Sequence, residues 1–248
     1  LFYREPMHQT GLALPSAQQI NQISQISQSD FAENKPKISS AIRQYLDYFF
    51  QSKRMWAWLL VLCSIKVTDG LSGPILKPLL VDLGLSLAQI GVYITMLGAF
   101  AALVGAGFAG IVLKYMQRSS ALILFSILKL GSLVGFMWVA SLYTRQQSIP
   151  LALIYLINAL EDMFSAMLLV VILTLVMQYS RKQHAGTDFT FQVSLMAMVS
   201  GGLYTFSGIV GDALGYQHYL MLIVIIGAVL LLPLMYWQRQ EKKASHPE

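Results

Sequence analysis

Six long apolar stretches follow one another along the chain from about residue 55 onward, separated by short polar segments. Each is at or above the roughly 20 residues that a helix needs to cross the hydrocarbon core of a bilayer. A soluble protein of this size could not bury six such segments. The pattern therefore predicts an all-α membrane protein with six transmembrane helices, at Met55–Leu80, Leu87–Leu113, Ala121–Tyr143, Leu151–Tyr179, Phe191–Val210 and Tyr219–Trp237.

The first 54 residues differ from the rest of the chain. Residues 18–28 (QQINQISQISQ) are polar and low in complexity, and prolines interrupt the region, so we predict a flexible cytoplasmic linker. Apolar residues share one helical face from Ile38 to Phe50, which predicts a short interfacial helix leading into the membrane. The sequence thus divides into a linker, residues 1–54, and a transmembrane domain, residues 55–248.

The distribution of charge supports a membrane location. Hydrophobic residues make up 56% of the chain and charged residues only 12%, against about 25% in a soluble domain. The net charge of +5 could suggest nucleic acid, but the basic residues gather in alternate connecting segments, which is the positive-inside pattern. Both termini are therefore expected to be cytoplasmic. The basic residues of these segments are Lys53, Arg54, Lys114, Arg118, Arg181, Lys182, Arg239, Lys242 and Lys243, against Arg145 alone on the other side.

Residues typical of enzymes do not cluster in the apolar stretches. The lone cysteine, Cys63, lies inside the first predicted span, so no disulfide framework exists. All four histidines fall in predicted loops or tails, and no phosphate-binding GxxxxGK[ST] loop occurs. We therefore expect neither an enzyme nor a cofactor, and any transport would draw on an ion gradient or on the gradient of the solute. The histidines are His8, His184, His218 and His246.

Three charged residues and a glycine share one helical face of the first span, at Lys66, Asp69, Gly73 and Lys77. A charge near the bilayer centre costs about 2.5–3.5 kcal/mol on insertion scales, so this face must meet protein or water. Lys66 and Asp69 are close enough to pair, either as a neutralised structural pair or as part of a transport path. Lys77 lies near the outer end, where snorkelling is the simpler interpretation. Gly73-Pro74 and Pro78 predict a break or bend whose freed backbone groups could line a cavity.

Two other spans carry polar residues. Asn158, Glu161, Asp162 and Ser165 lie on adjoining parts of one face of the fourth span. Neighbouring carboxylates repel, which raises the proton affinity of at least one and suits a proton-coupled carrier, unless both are simply wetted from outside. In the third span, Lys129 could meet an acidic partner from another helix, bind an anionic substrate, or snorkel to the surface.

Several segments resemble a known family. The opening LFYREP is similar to the end of the sixth span of major facilitator proteins. KVTDGLSGPILKPLLVDLGLSLAQIG (Lys66 to Gly91) resembles the seventh span and following loop of the AmpG-like permease group, and HAGTDFTFQVSLMAMVSGG (from His184) resembles its tenth loop and eleventh span. The AGTDFTFQ form, together with GDALGY at Gly211 to Tyr216, looks closer to the siderophore-permease branch, the RhtX and FptX type.

The resemblance implies the carboxy-terminal half of a twelve-helix major facilitator fold in a bacterial inner membrane, joined by the linker to an amino-terminal half. It further implies alternating access and inward, proton-coupled import of a bulky polar solute such as a siderophore. The segment KYMQRS (residues 114–119) departs from the family's gating loop, and Asp162 is also unexpected. The positions that match family motifs are Lys66, Asp69 and Gly70 in the seventh span, Glu161 in the tenth, and Gly186, Thr187 and Asp188 in the tenth loop. The candidate motif or gating residues are Gly70, Gly73, Pro74, Gly186, Thr187 and Asp188.

Two alternatives to siderophore import remain open. Muropeptide import, as in AmpG itself, would use the same fold. A non-transporting remnant of six spans would instead expose half of a polar cavity to lipid, and a second copy would have to cover it. The expected partners are a small-molecule solute (a ferric siderophore or a muropeptide), protons, the lipid bilayer, and either the missing amino-terminal half or a second copy; nucleic acid is not expected.

Overall fold

The computed structural model describes residue 49 and residues 52–245, with side chains as far as Glu241. The helical bundle belongs to the unit Lys53–Glu248. The predicted linker and interfacial helix fall outside the described residues, apart from residue 49 and residues 52–54, of which Lys53 and Arg54 belong to the first helix. The helices are α1 (Lys53–Asp82), α2 (Leu87–Tyr115, with a π-helical segment at Ile90–Met96), α3 (Arg118–Thr144), α4 (Leu151–Gln178), one 3-10 turn (Lys182–His184) and α5 (Ala185–Ser245).

Five helices are long and apolar enough to cross a membrane, and the described residues include no strand. Many large apolar side chains point outward, especially on α2, where Phe100, Leu103 and Phe108 are more than half exposed. Such a surface is stable only when something apolar covers it. The predicted all-α membrane protein is therefore confirmed for the described part of the chain. Six spans, and half of a twelve-helix fold, stay predictions.

The helices pack in two pairs that α3 joins. α1 packs along α5, α2 packs along α4, and α3 contacts both α4 and α5. A core of aliphatic and aromatic side chains fills the end of the bundle near Leu85, with contributions from all five helices, among them Leu79, Ile94, Phe136 and Ile154. A capping box starts α2, since Ser86 accepts from the Gln89 amide at 3.2 Å and the Gln89 side chain accepts from the Ser86 amide at 2.9 Å.

The prolines of α1 do not break it. The helix runs without interruption through Pro74 and Pro78, so of the predicted break or bend the break is wrong, and the bend stays a prediction. Each proline removes one backbone hydrogen bond. The neighbouring helix bonds to α1 one turn earlier: the Ser207 hydroxyl donates to the Leu71 carbonyl at 2.8 Å and the Tyr219 hydroxyl donates to it at 3.1 Å. Pro74 frees the carbonyl of Gly70, four residues before it, so the bonds to Leu71 hold α5 against α1 and do not replace the lost helix bond.

α5 turns back on itself at Gly215. The sequence predicts a loop between residues 210 and 219, including His218, but only Gly215 departs from helical geometry (φ 71°, ψ 162°). Gln192 and Trp237 would lie about 65 Å apart in a straight helix. Both nevertheless contact Trp58, one through a hydrogen bond of 2.7 Å and the other through rings 5.3 Å apart. The two halves of α5, a first arm (residues 185–214) and a second arm (residues 216–245), therefore run side by side.

Gly215→Ala should destabilise the protein by about 2 kcal/mol, because the backbone region that Gly215 occupies is open almost only to glycine. The free energy of unfolding can be measured by titrating the detergent-solubilised protein with dodecyl sulfate and following tryptophan fluorescence. Gly202→Ala is the matched control, since Gly202 is helical and a Cβ there would meet nothing within 4 Å. It should leave stability unchanged or raise it. Equal effects of the two substitutions would contradict the strained reversal.

Candidate functional site

Four charged side chains from three helices meet inside the bundle. On α1, the Lys66 ammonium lies 2.6 Å from Asp69 Oδ2. From α3, the Lys129 ammonium bonds the other oxygen of Asp69, Oδ1. The same ammonium lies 3.7 Å from Glu161 Oε1 of α4. Two cations and two carboxylates thus form one neutral group, which we call the four-charge cluster.

Burial explains why these charges pair. The side chain of Lys129 is only 8% exposed, and a buried charge without a partner is strongly unfavourable. The three-residue spacing of Lys66 and Asp69 places them on one face of α1, as the sequence predicts. Of the interpretations of Lys129 that the sequence left open, an acidic partner from another helix is confirmed, whereas snorkelling is wrong.

The two neighbouring carboxylates of α4 have different environments. Glu161 faces Lys129 and accepts a hydrogen bond of 2.9 Å from the Ser165 hydroxyl. Asp162 instead accepts a bond of 2.8 Å from the Asn158 amide and has no ion pair within 4.0 Å among the described residues. Glu161 therefore has a cation near it that comes from another helix, whereas Asp162 has none within that distance among the described residues.

Gly98 of α2 makes room for Asp162. A Cβ built on Gly98 would overlap the Asp162 carboxylate, and it would also lie 3.4 Å from the Asn158 amide nitrogen. Gly98 is buried between α2 and α4. The absence of a side chain at this one position therefore allows the acidic face of α4 to approach α2.

These residues line an open cavity of about 360 Å³, which we call the polar cavity. Its charged and amide groups come from α1, α3 and α4, and its apolar wall comes mainly from α1 and α2. The π-helical segment contributes Ile90, Ile94 and Thr95 to the cavity wall, and the Thr95 hydroxyl donates to the Ile90 carbonyl at 3.0 Å. The lining residues are Asp69, Ser72, Gly73, Leu76, Lys77, Leu80, Ile90, Ile94, Thr95, Gly98, Ala99, Ala102, Lys129, Asn158, Glu161 and Asp162.

Lys129 also lines a second, much smaller cavity of about 30 Å³. This space lies among α1, α3 and the second arm of α5, with Ser64, Thr68 and Ser126 in its wall. It has room for about two water molecules. Lys129 therefore lies in the wall of both cavities.

The other matched positions of α1 have different surroundings. Gly70 is buried, and a Cβ there would lie 2.6 Å from the Ser200 carbonyl oxygen, so this glycine permits close packing of α1 on α5. A Cβ on Gly73 would be only in ordinary contact with the Tyr204 ring at 3.5 Å, and Gly73 lines the polar cavity. Pro74 lies next to it within the continuous helix.

The three residues matched to the tenth loop do not line the polar cavity. Asp188 is fully buried in the first turn of α5 and accepts three bonds of 2.9 Å from Arg181, one from the backbone amide and two from the guanidinium. Gly186 and Thr187 are exposed beside it. The observed geometry fastens the start of α5 to the end of α4, and the predicted gating role of these residues stays a prediction.

Sequence reasoning missed a buried polar contact next to this fastening. The Gln192 side chain accepts from the Trp58 indole at 2.7 Å and donates to the Val176 and Asp188 carbonyls at 3.3 and 3.2 Å. The available signal was a polar residue four positions after Asp188, hence on the same helical face. Nearby, Tyr179 stacks on Trp58 with ring centroids 4.8 Å apart.

Among the residues that the structure describes, no group of three His, Cys, Asp or Glu side chains could hold a metal ion. The polar side chains that line the polar cavity carry ammonium, carboxylate, amide and hydroxyl groups. Such groups can bind a polar solute by charge and hydrogen bonding, and carboxylates can take up and release protons.

Two curated proteins of Rickettsia species are similar to the chain. One, from Rickettsia conorii, is named "Putative transporter AmpG 4" and is 22% identical over 201 residues, which cover 80% of this chain and 47% of the relative. The protein of the same name from Rickettsia felis is 21% identical over 205 residues, which cover 82% of this chain and 48% of the relative. No family model and no solved structure matches the chain.

The chain therefore spans about half the length of the curated relatives it matches. Its long apolar helices and the transporter names of these relatives both indicate a multi-pass membrane protein. The chain is a multi-pass membrane protein that is similar, over about half of their length, to proteins named as AmpG transporters.

Proposed function

We propose that the chain is one half of an AmpG-like secondary transporter and that the polar cavity is its part of the solute path. The observation that carries this proposal is the four-charge cluster inside a multi-pass membrane protein, because three of its members, Asp69, Lys129 and Glu161, line an open cavity. Charged residues within membrane helices are rare because they are unfavourable there, and they commonly mark substrate or ion pathways.

The proposal includes six membrane crossings. The fifth and sixth apolar stretches of the sequence fall one in each arm of α5, on either side of Gly215. The start of α1 and the end of the second arm lie together, because the Arg54 guanidinium bonds Glu241 with two contacts of 2.9 Å. Such an even number of crossings places the ends of the bundle on one side, and the positive-inside pattern makes that side cytoplasmic.

A second half would complete the solute path. The polar cavity is open on one side, and its 360 Å³ lies near the lower limit of the roughly 300–1,000 Å³ of small-molecule sites. Major facilitator transporters bind solute between two six-helix halves. Relatives of about twice the length are in keeping with a partner half. We therefore propose that an amino-terminal half, or a second copy, supplies the opposite wall.

Muropeptide is the solute that we propose first, because the relatives bear the AmpG name. The siderophore alternative rests on the AGTDFTFQ and GDALGY segments, and no residue of either segment lines the polar cavity. A Cβ on Gly211 would lie 2.5 Å from Ile75, Gly215 makes the reversal, and the Tyr216 hydroxyl bonds the Asp82 carboxylate. Those contacts explain the GDALGY segment through packing and give no support to a siderophore.

Proton coupling is part of the proposal, and the proposed proton site is the pair of neighbouring carboxylates Glu161 and Asp162, one of which holds the proton. The Asp162 carboxylate lines the polar cavity, accepts a bond from Asn158 and lacks a cation within 4.0 Å among the described residues. Glu161, one position earlier, places a second negative charge nearby. A neighbouring like charge favours protonation.

Uptake measurements test the function. The natural polypeptide that contains this chain would be expressed in cells without their own muropeptide permease, and right-side-out membrane vesicles would be given labelled muropeptide or labelled ferric siderophore. We expect muropeptide uptake that a protonophore abolishes. Lys66→Met, Asp69→Asn and Glu161→Gln should each lower uptake at least tenfold at equal amounts of inserted protein, because each unbalances the four-charge cluster. Gly107→Ala, at an exposed position with nothing within 4 Å, is the control.

Three outcomes decide the proposal. Siderophore uptake without muropeptide uptake would replace the solute but keep the transporter. Unchanged uptake in all three cluster variants would remove the cluster from the solute path. Uptake of neither compound would contradict the proposed function.

A further inference from the structure

The charges that line the polar cavity are not all balanced by one another. Asp69 and Glu161 share Lys129, and Lys66 also pairs with Asp69, so the four-charge cluster is neutral in itself. Two further charged side chains line the cavity, Lys77 of α1 and Asp162 of α4. Neither has an ion pair within 4.0 Å among the described residues.

Asp162 is held in position but incompletely bonded. Its Oδ2 accepts the Asn158 amide at 2.8 Å, and no bond to Oδ1 occurs in the described part of the chain. The side chain is half-buried, and Gly98 leaves it the space that it occupies. A half-buried carboxylate gains most from a charged donor such as an ammonium group.

Lys77 of α1 adds a positive charge to the wall of the polar cavity. It follows Lys66 by eleven residues, or three helical turns, so the two lie on nearly the same face of α1. Its side chain is exposed while it also lines the cavity. Its contribution to the cavity was not expected from the sequence, which favoured snorkelling. An exposed lysine gains most from a carboxylate or another anionic group.

We propose that Lys77 and Asp162 select a zwitterionic solute, with Asp162 binding its ammonium group and Lys77 binding its carboxylate. A purely anionic solute would meet the negative charge of Asp162, and a purely cationic one would meet the positive charge of Lys77. Only a solute that carries both a positive and a negative charge can pair with both side chains. The four-charge cluster adds no net charge to the cavity. Specificity of this kind combines attraction with repulsion of the wrong ligand.

This inference rests on the proposed function for its biological meaning, but binding tests it independently of transport. Three probes would be compared by calorimetry on the purified natural polypeptide: a muropeptide with a free amine and free carboxylates, its N-acetylated form, and its carboxyl-amidated form. The unmodified protein should bind the first at least tenfold more tightly than either modified form. Uptake failure with this binding pattern would sink the transport proposal and leave the charge assignment intact.

The variants assign each charge to its side chain. In Asp162→Asn, the unmodified and the N-acetylated probe should bind with nearly equal affinity, while the preference over the amidated probe remains. In Lys77→Met, the unmodified and the amidated probe should bind with nearly equal affinity, while the preference over the acetylated probe remains. Each affinity ratio is measured within one variant, so partial loss of folded protein does not imitate the result. Asp212→Asn and Lys114→Met, both at exposed positions that do not line the cavity, should keep both ratios.

Two results would overturn the inference. Ratios that stay unchanged in Lys77→Met would mean that this lysine only reaches toward the membrane surface. Equal binding of all three probes by the unmodified protein, or binding of none, would mean that the two side chains do not select a zwitterion.

Discussion

Lys129→Met should lower the free energy of unfolding by about 3 kcal/mol. Removing one partner of a buried ion pair costs about 3–5 kcal/mol, because the other charge stays buried without compensation. The lower end is expected because Asp69 keeps Lys66, which lies 2.6 Å away, and Glu161 keeps the Ser165 hydroxyl. Methionine retains most of the aliphatic volume, so the loss reports on charge rather than on a cavity. Dodecyl sulfate titration with tryptophan fluorescence gives the value.

A second substitution tests whether the charges act together. Glu161→Gln added to Lys129→Met leaves the Lys66–Asp69 pair alone and the cluster neutral again. The double variant should be about 1–2 kcal/mol more stable than the sum of the two single effects predicts. Strict additivity would mean that Lys129 and Glu161, 3.7 Å apart, do not interact appreciably. Lys114→Met, at an exposed lysine, should change stability by less than about 0.5 kcal/mol.

Gly98→Ala should cost about 2 kcal/mol, since the added methyl would overlap the Asp162 carboxylate and forcing atoms into a packed interface typically costs about 1–3 kcal/mol. The same titration measures it. Gly107→Ala, on the same helix with open space around it, should be neutral or stabilising. Helix propensity alone would favour alanine at both positions, so a loss confined to Gly98→Ala reports the overlap.

A rescue distinguishes this overlap from a general loss of packing. Asp162→Ala removes the atoms that the Gly98 methyl would meet, so the pair Gly98→Ala and Asp162→Ala should recover most of the stability lost in Gly98→Ala. If the two losses simply add, the close approach of α2 and α4 at this point does not exist.

The sequence predicts the helices well and their neighbours poorly. Hydropathy finds the apolar stretches because each helix in a membrane must be apolar along its own length. The Lys66–Asp69 pair is predictable because both residues lie on one helix. The contacts of Lys129 with Asp69 and Glu161 are not, because periodicity shows which face is polar but not which helix that face meets. A single sequence also gives no sign that Gly98 faces Asp162.

The resemblance to family motifs indicated where the matched residues lie better than it indicated what they do. Asp188 lies in a segment that resembles a family loop, and its observed bonds go to Arg181 at the end of the preceding helix. The predicted loop around His218 is helical because one glycine at a positive φ reverses the chain. Resemblance placed these segments near helix ends correctly, but only the contacts of each side chain distinguish a packing residue from a cavity residue.

The Lys66–Asp69 pair also bears on how α1 enters the membrane during synthesis. α1 is synthesised before α3 and α4, so Asp69 must enter the membrane before Lys129 and Glu161 exist. At that stage its carboxylate already has an ammonium group three residues away on its own helix, at 2.6 Å in the finished fold. A neutralised pair lowers the barrier to inserting a charged helix. We therefore expect Lys66 to neutralise Asp69 in the nascent chain. Lys129 bonds the second oxygen of Asp69 in the finished bundle.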